Sequence, residues 1–190
     1  MIWHDYSRSI PPGSHALFGA SNHYWLGYDV PRALEYMRDM KAKTLGTQLH
    51  AFAADAIKYR APLSGRGTLA MYVNDCIKYG MDPEIMLKFS NNFFGTADAI
   101  TVDRGKLRIS DLKTGVKHTP HMNQLLIYDA LYCLDYGVDP KDIDHELKIY
   151  FKNDKITLKP KAADIYPVID KMKMIDAAIS ERAEEESWLL

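Results

Sequence analysis

A chain of 190 residues, 47% of them hydrophobic, carries enough apolar surface for one well-buried domain, and no Pro/Gly/Ser linker or low-complexity run divides it. The formal net charge of −1 lacks the strongly basic balance of a dedicated nucleic-acid binder, so any phosphate recognition has to be local. No apolar run is long enough to span a bilayer and the proline-broken start, MIWHDYSRSIPPG, has no signal-peptide pattern, which sets the expectation of a cytoplasmic protein with no membrane partner.

Residues 1–20 read as extended or irregular around Pro11-Pro12-Gly13, and Ser21 is placed to cap a short helix, SNHYWLG, whose Tyr24 and Trp25 read as core, with stacking on bases as the alternative. A helix is expected from Pro31 to Lys43, with proline in its first turn. Thr44 is placed to cap a further one carrying GTQLHAFAADAIKY. There Leu49, Phe52, Ala53, Ala56 and Ile57 form an apolar stripe, with His50 beside it. A helix over Gly67–Tyr79 ends at Gly80, and Asp82-Pro83 reads as a turn before a strand, Ile85–Phe89. Asn91-Asn92 marks a turn or bulge, and a hairpin follows at residues 96–112. Thr119-Pro120 then opens a helix through Tyr136. HELKIYFK, from His145, is a strand, and Lys155–Lys159 returns beside it across Asn153-Asp154. The last helix starts near Tyr166-Pro167, with Val168, Ile169, Met172, Ile175 and Ile179 at helical spacing. Cys76 and Cys133, each inside an expected helix, read as ordinary buried thiols. The order helix, three strands, helix, strand predicts an α/β fold, a mixed central β-sheet flanked by α-helices.

The hairpin joins two β-branched and apolar runs, Thr96–Val102 and Lys106–Leu112, across Asp103-Arg104-Gly105. A two-residue turn at Arg104-Gly105 or a four-residue one from Asp103 to Lys106 sets Asp98 opposite Asp111; a three-residue loop shifts the register and sends one carboxylate to solvent. In the first register Ile100, Val102, Leu107 and Ile109 share a face that Asp98, Asp111 and Lys113 extend, while Thr101, Asp103, Lys106, Arg108 and Ser110 make the other face look wet. Facing carboxylates repel by roughly 0.2–1 kcal/mol even when solvated, and a divalent cation between them removes the cost. Lys113, two residues beyond Asp111, is placed to reach a water or phosphate oxygen at such a cation, an arrangement suited to phosphodiester hydrolysis. From Arg104 to Lys117 five cations stand against one acid, a local patch able to follow a phosphate backbone.

GTADAI, then ISDLKTG, then Gln124-Leu125-Leu126-Ile127-Tyr128, preceded by Gly46-Thr47-Gln48-Leu49-His50, resembles the PD-(D/E)xK nucleases, specifically the RecB-like branch with its G-x-x-x-H, G-x-x-D, D-x-K-T-G and Q-x-x-x-Y blocks. The resemblance covers residues 46–128 and implies a restriction-endonuclease-like core. Its domain division would be a helical lead-in at 1–45, the core at 46–160 and a C-terminal helix at 161–190. It implies Mg²⁺ or Mn²⁺ held by His50, Asp98, Asp111 and the Leu112 carbonyl, with Asp98, Asp111 and Lys113 catalytic. Gln124 and Tyr128 would lie near the bound strand, joined by Thr114 and by the basic residues Lys117 and Arg104. Some relatives add a glutamate one turn after the histidine, where this chain has Ala54, and some hold an iron–sulfur cluster on four cysteines, which two cannot build. The implied activity is DNA hydrolysis, as an exonuclease in recombination, repair or phage DNA metabolism, acting on single strands or duplex ends, in the host cytoplasm if phage-encoded. A helicase, recombinase or single-strand-binding protein is the implied partner. RNA cleavage at the same metal site and a non-catalytic nucleic-acid-binding scaffold are the alternatives.

Overall fold

The structure, a computed structural model, describes residues 16–18, 23–114 and 122–187, without the side chains of His23 and of 183–187. Ser21, Pro11-Pro12-Gly13, Lys117 and the Thr119-Pro120 helix start lie outside the described residues. The chain divides into two compact units at Leu45/Gly46. In the first, a 3-10 helix, His23–Gly27, is followed by Asp29, whose carboxylate accepts the Arg32 amide at 2.9 Å and so caps helix α1 (Val30–Lys58). Trp25 packs edge-on to Phe18, but Tyr24, expected in the core, is 75% exposed. Two helices were expected where α1 is continuous. The Thr44 hydroxyl donates back to the Met40 carbonyl at 3.0 Å instead of capping a new start.

From Gly46 onward, α1 continues into α2 (Thr68–Lys78), β1 (Asp82–Lys88), β2 (Phe94–Asp103), β3 (Lys106–Leu112), α3 (Met122–Tyr136), β4 (Asp144–Phe151), β5 (Asp154–Leu158) and α4 (Ala162–Ser187). The strands form one sheet in the order β1-β2-β3-β4-β5. Every neighbouring pair is antiparallel except β3 and β4, which α3 connects as a parallel crossover. This is the expected α/β architecture, a mixed sheet flanked by helices.

The β2–β3 turn is the two-residue one: Asp103 pairs with Lys106, and Arg104 and Gly105 both have positive φ, 49° and 74°. Asp82-Pro83 is not a turn but the start of β1, where an edge strand tolerates proline. The β4–β5 turn lies one residue earlier than expected, at Lys152-Asn153, both at positive φ. Helix α4 begins at Ala162, ahead of Tyr166, and carries Pro167 inside.

Both faces of the sheet are covered. On one, Leu107, Ile109, Leu147 and Ile149 meet Leu125, Ala130 and Leu131 of α3 and Ile165, Ile169 and Met172 of α4. On the other, Ala99, Leu112 and Tyr150 meet Ala53, Ala56 and Ile57 of α1 and Tyr72, Val73 and Cys76 of α2. The face expected to be wet is therefore largely an interior one: Ser110 is 2% exposed, and the Arg108 guanidinium lies 4.9 Å over the Tyr79 ring and 3.4 Å from Glu146. Cys76 and Cys133 are free buried thiols, each pushed by burial up to about 12.

Under α3 a buried ion pair joins that helix to β4. His145 Nδ1 lies 3.0 Å from Asp129 Oδ2, off the axis of a hydrogen bond, and Nε2 is 2.8 Å from the Pro140 carbonyl. Burial raises the Asp129 carboxyl, with His145 opposing. For His145 burial favours the neutral ring, but Asp129 and the Pro140 carbonyl outweigh it and raise its pKa. A raised histidine adds stability that is whole below its unfolded value, about 6.5, and that fades as pH climbs through the folded one. His145→Gln should therefore cost about 3–5 kcal/mol at pH near 6 and distinctly less in alkali, measured by urea unfolding. An equal cost at both pH values would mean that the ring is neutral throughout.

Candidate functional site

Strand register builds a row of acids. Pro83 pairs with Ala99 and Ile85 with Ala97, so Glu84 of β1 stands level with Asp98 of β2. Ala99 pairs with Ser110, and one further step in that register brings Asp98 level with Asp111 of β3, as the two-residue turn requires. The row is fixed by backbone on either side of Asp98. Its Oδ2 accepts the Leu112 amide at 2.9 Å, so the Leu112 backbone does meet the site.

Helix α1 adds His50, whose Nδ1 lies 3.3 Å from Asp98 Oδ2. His50, Glu84 and Asp98 each offer a ligand atom, all within 4.8 Å of one another. Lys113 leaves β3 with its amide bonded to the Tyr150 carbonyl at 2.9 Å. Its Nζ donates to Asp111 Oδ1 and to Gln124 Oε1 of α3, each at 2.9 Å. Four of the expected site residues, His50, Asp98, Asp111 and Lys113, are thus brought together, with Gln124 holding the lysine from the side.

No family model matches the chain, and no curated protein matches it. What joins the four blocks is their packing. A Cβ on Gly46 would meet Thr114 Oγ1 at 3.0 Å, and one on Gly95 would meet Tyr128 Cε1 at 2.9 Å. The glycine of each upstream block therefore makes room for a side chain from a later one. Tyr128 packs on Gly95 and the apolar core, whereas Gln124 reaches the polar site.

Three cations of the expected phosphate track, Arg104, Lys106 and Arg108, sit elsewhere. Arg104, 92% exposed in its side chain, is at the hairpin tip, roughly 20 Å along the strand from Asp98 at about 3.3 Å per residue. Lys106 lies 3.9 Å from Asp144, and Arg108 is paired with Glu146. Strand length and local acids thus draw these three away from the row.

Glu84 was missed. Its neighbours Asp82-Pro83 read as a turn, which hid the strand; extended to Asp82, β1 puts Glu84 beside Asp98 by register alone. Its φ of 53° is unusual for a residue other than glycine.

The electrostatics follow from crowding. Asp111 is 3% exposed; burial and then Asp98 raise its pKa, while Lys113 pulls it down in part. Burial and Asp98 likewise raise Glu84. The Asp98 carboxylate, accepting from the His50 ring, raises the His50 pKa against burial. Asp111 Oδ2 is buried without a hydrogen-bond partner among the described residues. Hard oxygen donors, one imidazole and an orphaned carboxylate oxygen fit a divalent cation.

Two substitutions test this geometry. A carboxyl with raised pKa destabilises the fold above that pKa, so Asp111→Asn in EDTA at pH 7 should raise the melting temperature by roughly 2–4 °C for each kcal/mol relieved. The gain should vanish in acid, where Asp111 itself takes a proton; a loss at pH 7 would show that the Lys113 pair dominates. Gly95→Ala should cost about 1–3 kcal/mol by overpacking, and Tyr128→Leu in the same chain should recover much of it. Strict additivity in denaturant unfolding would place the strain elsewhere.

Proposed function

We propose that the chain is a metal-dependent nuclease that hydrolyses phosphodiester bonds in DNA, on a restriction-endonuclease-like core of the PD-(D/E)xK kind. The observation that carries this reading is the meeting of Asp98, Asp111, Lys113 and His50, drawn from three separated sequence blocks, with Lys113 2.9 Å from Asp111 and Asp111 Oδ2 left over. A scaffold has no use for a buried, unpaired carboxylate oxygen beside a second acid. The order α1, α2, three antiparallel strands, α3 and a parallel β4 supports the same core.

His50, Asp98, Asp111 and the Leu112 carbonyl would hold Mg²⁺ or Mn²⁺, which supplies Lewis-acid polarisation and neutralises charge on the phosphate. Lys113 orients the attacking water and offsets charge that develops on the phosphate oxygens. Gln124 fixes the lysine Nζ from α3 and keeps it from folding away over Asp111. Thr114, Tyr128 and Lys117 belong to the segments that would flank the substrate. With a net charge of −1 a single chain neutralises few phosphates, which favours recruitment by a helicase, recombinase or single-strand-binding protein, in recombination, repair or phage DNA metabolism. No helix among the described residues is long and apolar enough to cross a membrane, in keeping with action on DNA in the cytoplasm.

The test uses end-labelled single- and double-stranded DNA and RNA with Mg²⁺, Mn²⁺ or EDTA. Cleavage of DNA that needs the cation is expected, with product lengths separating end-directed from internal cutting; RNA cleavage alone would move the substrate class. Lys113→Ala should lower single-turnover cleavage by about 10²–10³-fold while Mn²⁺ binding stays within a few fold. Unchanged cleavage in that variant would remove Lys113 from the chemistry, and metal-independent nucleic-acid binding with no cleavage would make the chain a scaffold.

A further inference from the structure

We propose that Glu84 is a metal ligand: a divalent cation is held on the β1 side of the centre by Glu84, His50 and Asp98, and Mn²⁺ is the favoured ion. This deepens the nuclease reading and rests on it, since the same site is concerned. The four sequence blocks include no residue of β1, so the ligand set they define lacks this carboxylate.

Three observations carry the assignment. Ligand atoms of His50, Glu84 and Asp98 come within 4.8 Å of one another from three different elements, α1, β1 and β2. Among the described residues Glu84 has no salt bridge to offset its approach to Asp98, whereas Asp111, the other acid beside Asp98, has Lys113 at 2.9 Å. Independently, Asp111 Oδ2, in the same row, is buried and without a hydrogen-bond partner among the described residues. Asp98 stands in the middle, between Glu84 and Asp111, and its orientation is set by the Leu112 amide rather than by either acid.

The choice of ion follows from the donors. Mg²⁺ keeps to oxygen ligands and near-ideal octahedral geometry, while an imidazole in the set suits first-row transition cations. Two carboxylates with one imidazole therefore favour Mn²⁺ over Mg²⁺. Glu84 also supplies the second negative charge next to His50, which keeps the site anionic even though Lys113 compensates Asp111.

The experiment is calorimetric titration of the metal-free 190-residue chain with Mn²⁺, paired with melting curves in EDTA. Glu84→Gln is expected to weaken Mn²⁺ binding at least tenfold and to leave the melting temperature in EDTA equal or higher, because it removes one of two repelling carboxylates. A purely structural glutamate would lower the melting temperature in EDTA and leave Mn²⁺ affinity unchanged, which overturns the proposal. Glu84→Asp, which tolerates the left-handed backbone and keeps the charge with a shorter reach, should lose at least threefold in affinity; wild-type affinity there also overturns it, and this variant decides the matter if the Gln chain does not fold. If Asp98→Asn abolishes Mn²⁺ binding while Glu84→Gln binds normally, Glu84 falls and the nuclease reading survives. If wild-type chain takes up no Mn²⁺ at all, both fall.

Discussion

Three carboxylates level with one another on adjacent strands, Glu84, Asp98 and Asp111, are an arrangement that a sheet holds only under constraint. Each repels the next, and water reaches the innermost, Asp111, least. The surrounding structure supplies the constraint. A two-residue hairpin turn locks β2 to β3, the Leu112 amide fixes the Asp98 carboxylate, and two apolar layers clamp the sheet from both sides. Stability lost at the row is offset by burial elsewhere, as at many functional sites.

The glycines of the sequence blocks are explained by contact rather than by flexibility. Neither Gly46 nor Gly95 is among the residues of positive φ. Each is small because a side chain from a later block lies where its Cβ would be: Thr114, directly after Lys113, against Gly46, and Tyr128, one helical turn after Gln124, against Gly95. Helix α1 thereby sits close to the end of β3 and α3 close to the start of β2. Those two approaches bring His50 onto Asp98 from one side and Gln124 onto Lys113, the partner of Asp111, from another.

Much of this was legible in the sequence because it depends on short-range rules. The hairpin, its register, the facing of Asp98 and Asp111 and the apolar stripes of the helices all follow from period and turn chemistry. What was not legible depends on tertiary cover. Arg108, Ser110 and Lys148 alternate like a solvated strand face, yet α2 lies over them and the Tyr79 ring receives both cations, Lys148 at 4.4 Å. A proline at residue 83 reads as a break unless β1 is known to be an edge strand, and that concealed Glu84. Thr44 resembles a cap, but its hydroxyl is satisfied equally well inside a helix. Like-charge spacing along the hairpin suggested a cationic track, whereas strand length carries Arg104 far from the acids and β4 supplies Asp144 and Glu146 to its companions.

The covered second face also bears on the position of Lys113. Asp75 of α2 accepts the Tyr150 hydroxyl at 2.8 Å and the Lys155 ammonium at 2.7 Å, and these two hold its carboxyl below the usual range despite burial. Tyr150 stacks edge-on against Tyr72 of the same helix and is fully buried. Its carbonyl, in turn, takes the Lys113 amide just where β3 ends and the chain leaves the sheet. Without that bond the lysine backbone would be released at Leu112, and only its long, flexible methylenes would tie the ammonium to the sheet. The parallel pairing of β3 with β4 therefore extends one residue beyond the strand and gives Lys113 a fixed root, while Asp111 and Gln124 fix its tip. In the nuclease we propose, a lysine held at both ends would lose little freedom on meeting a phosphate, which is the condition for a cation to act on developing charge rather than merely to attract substrate.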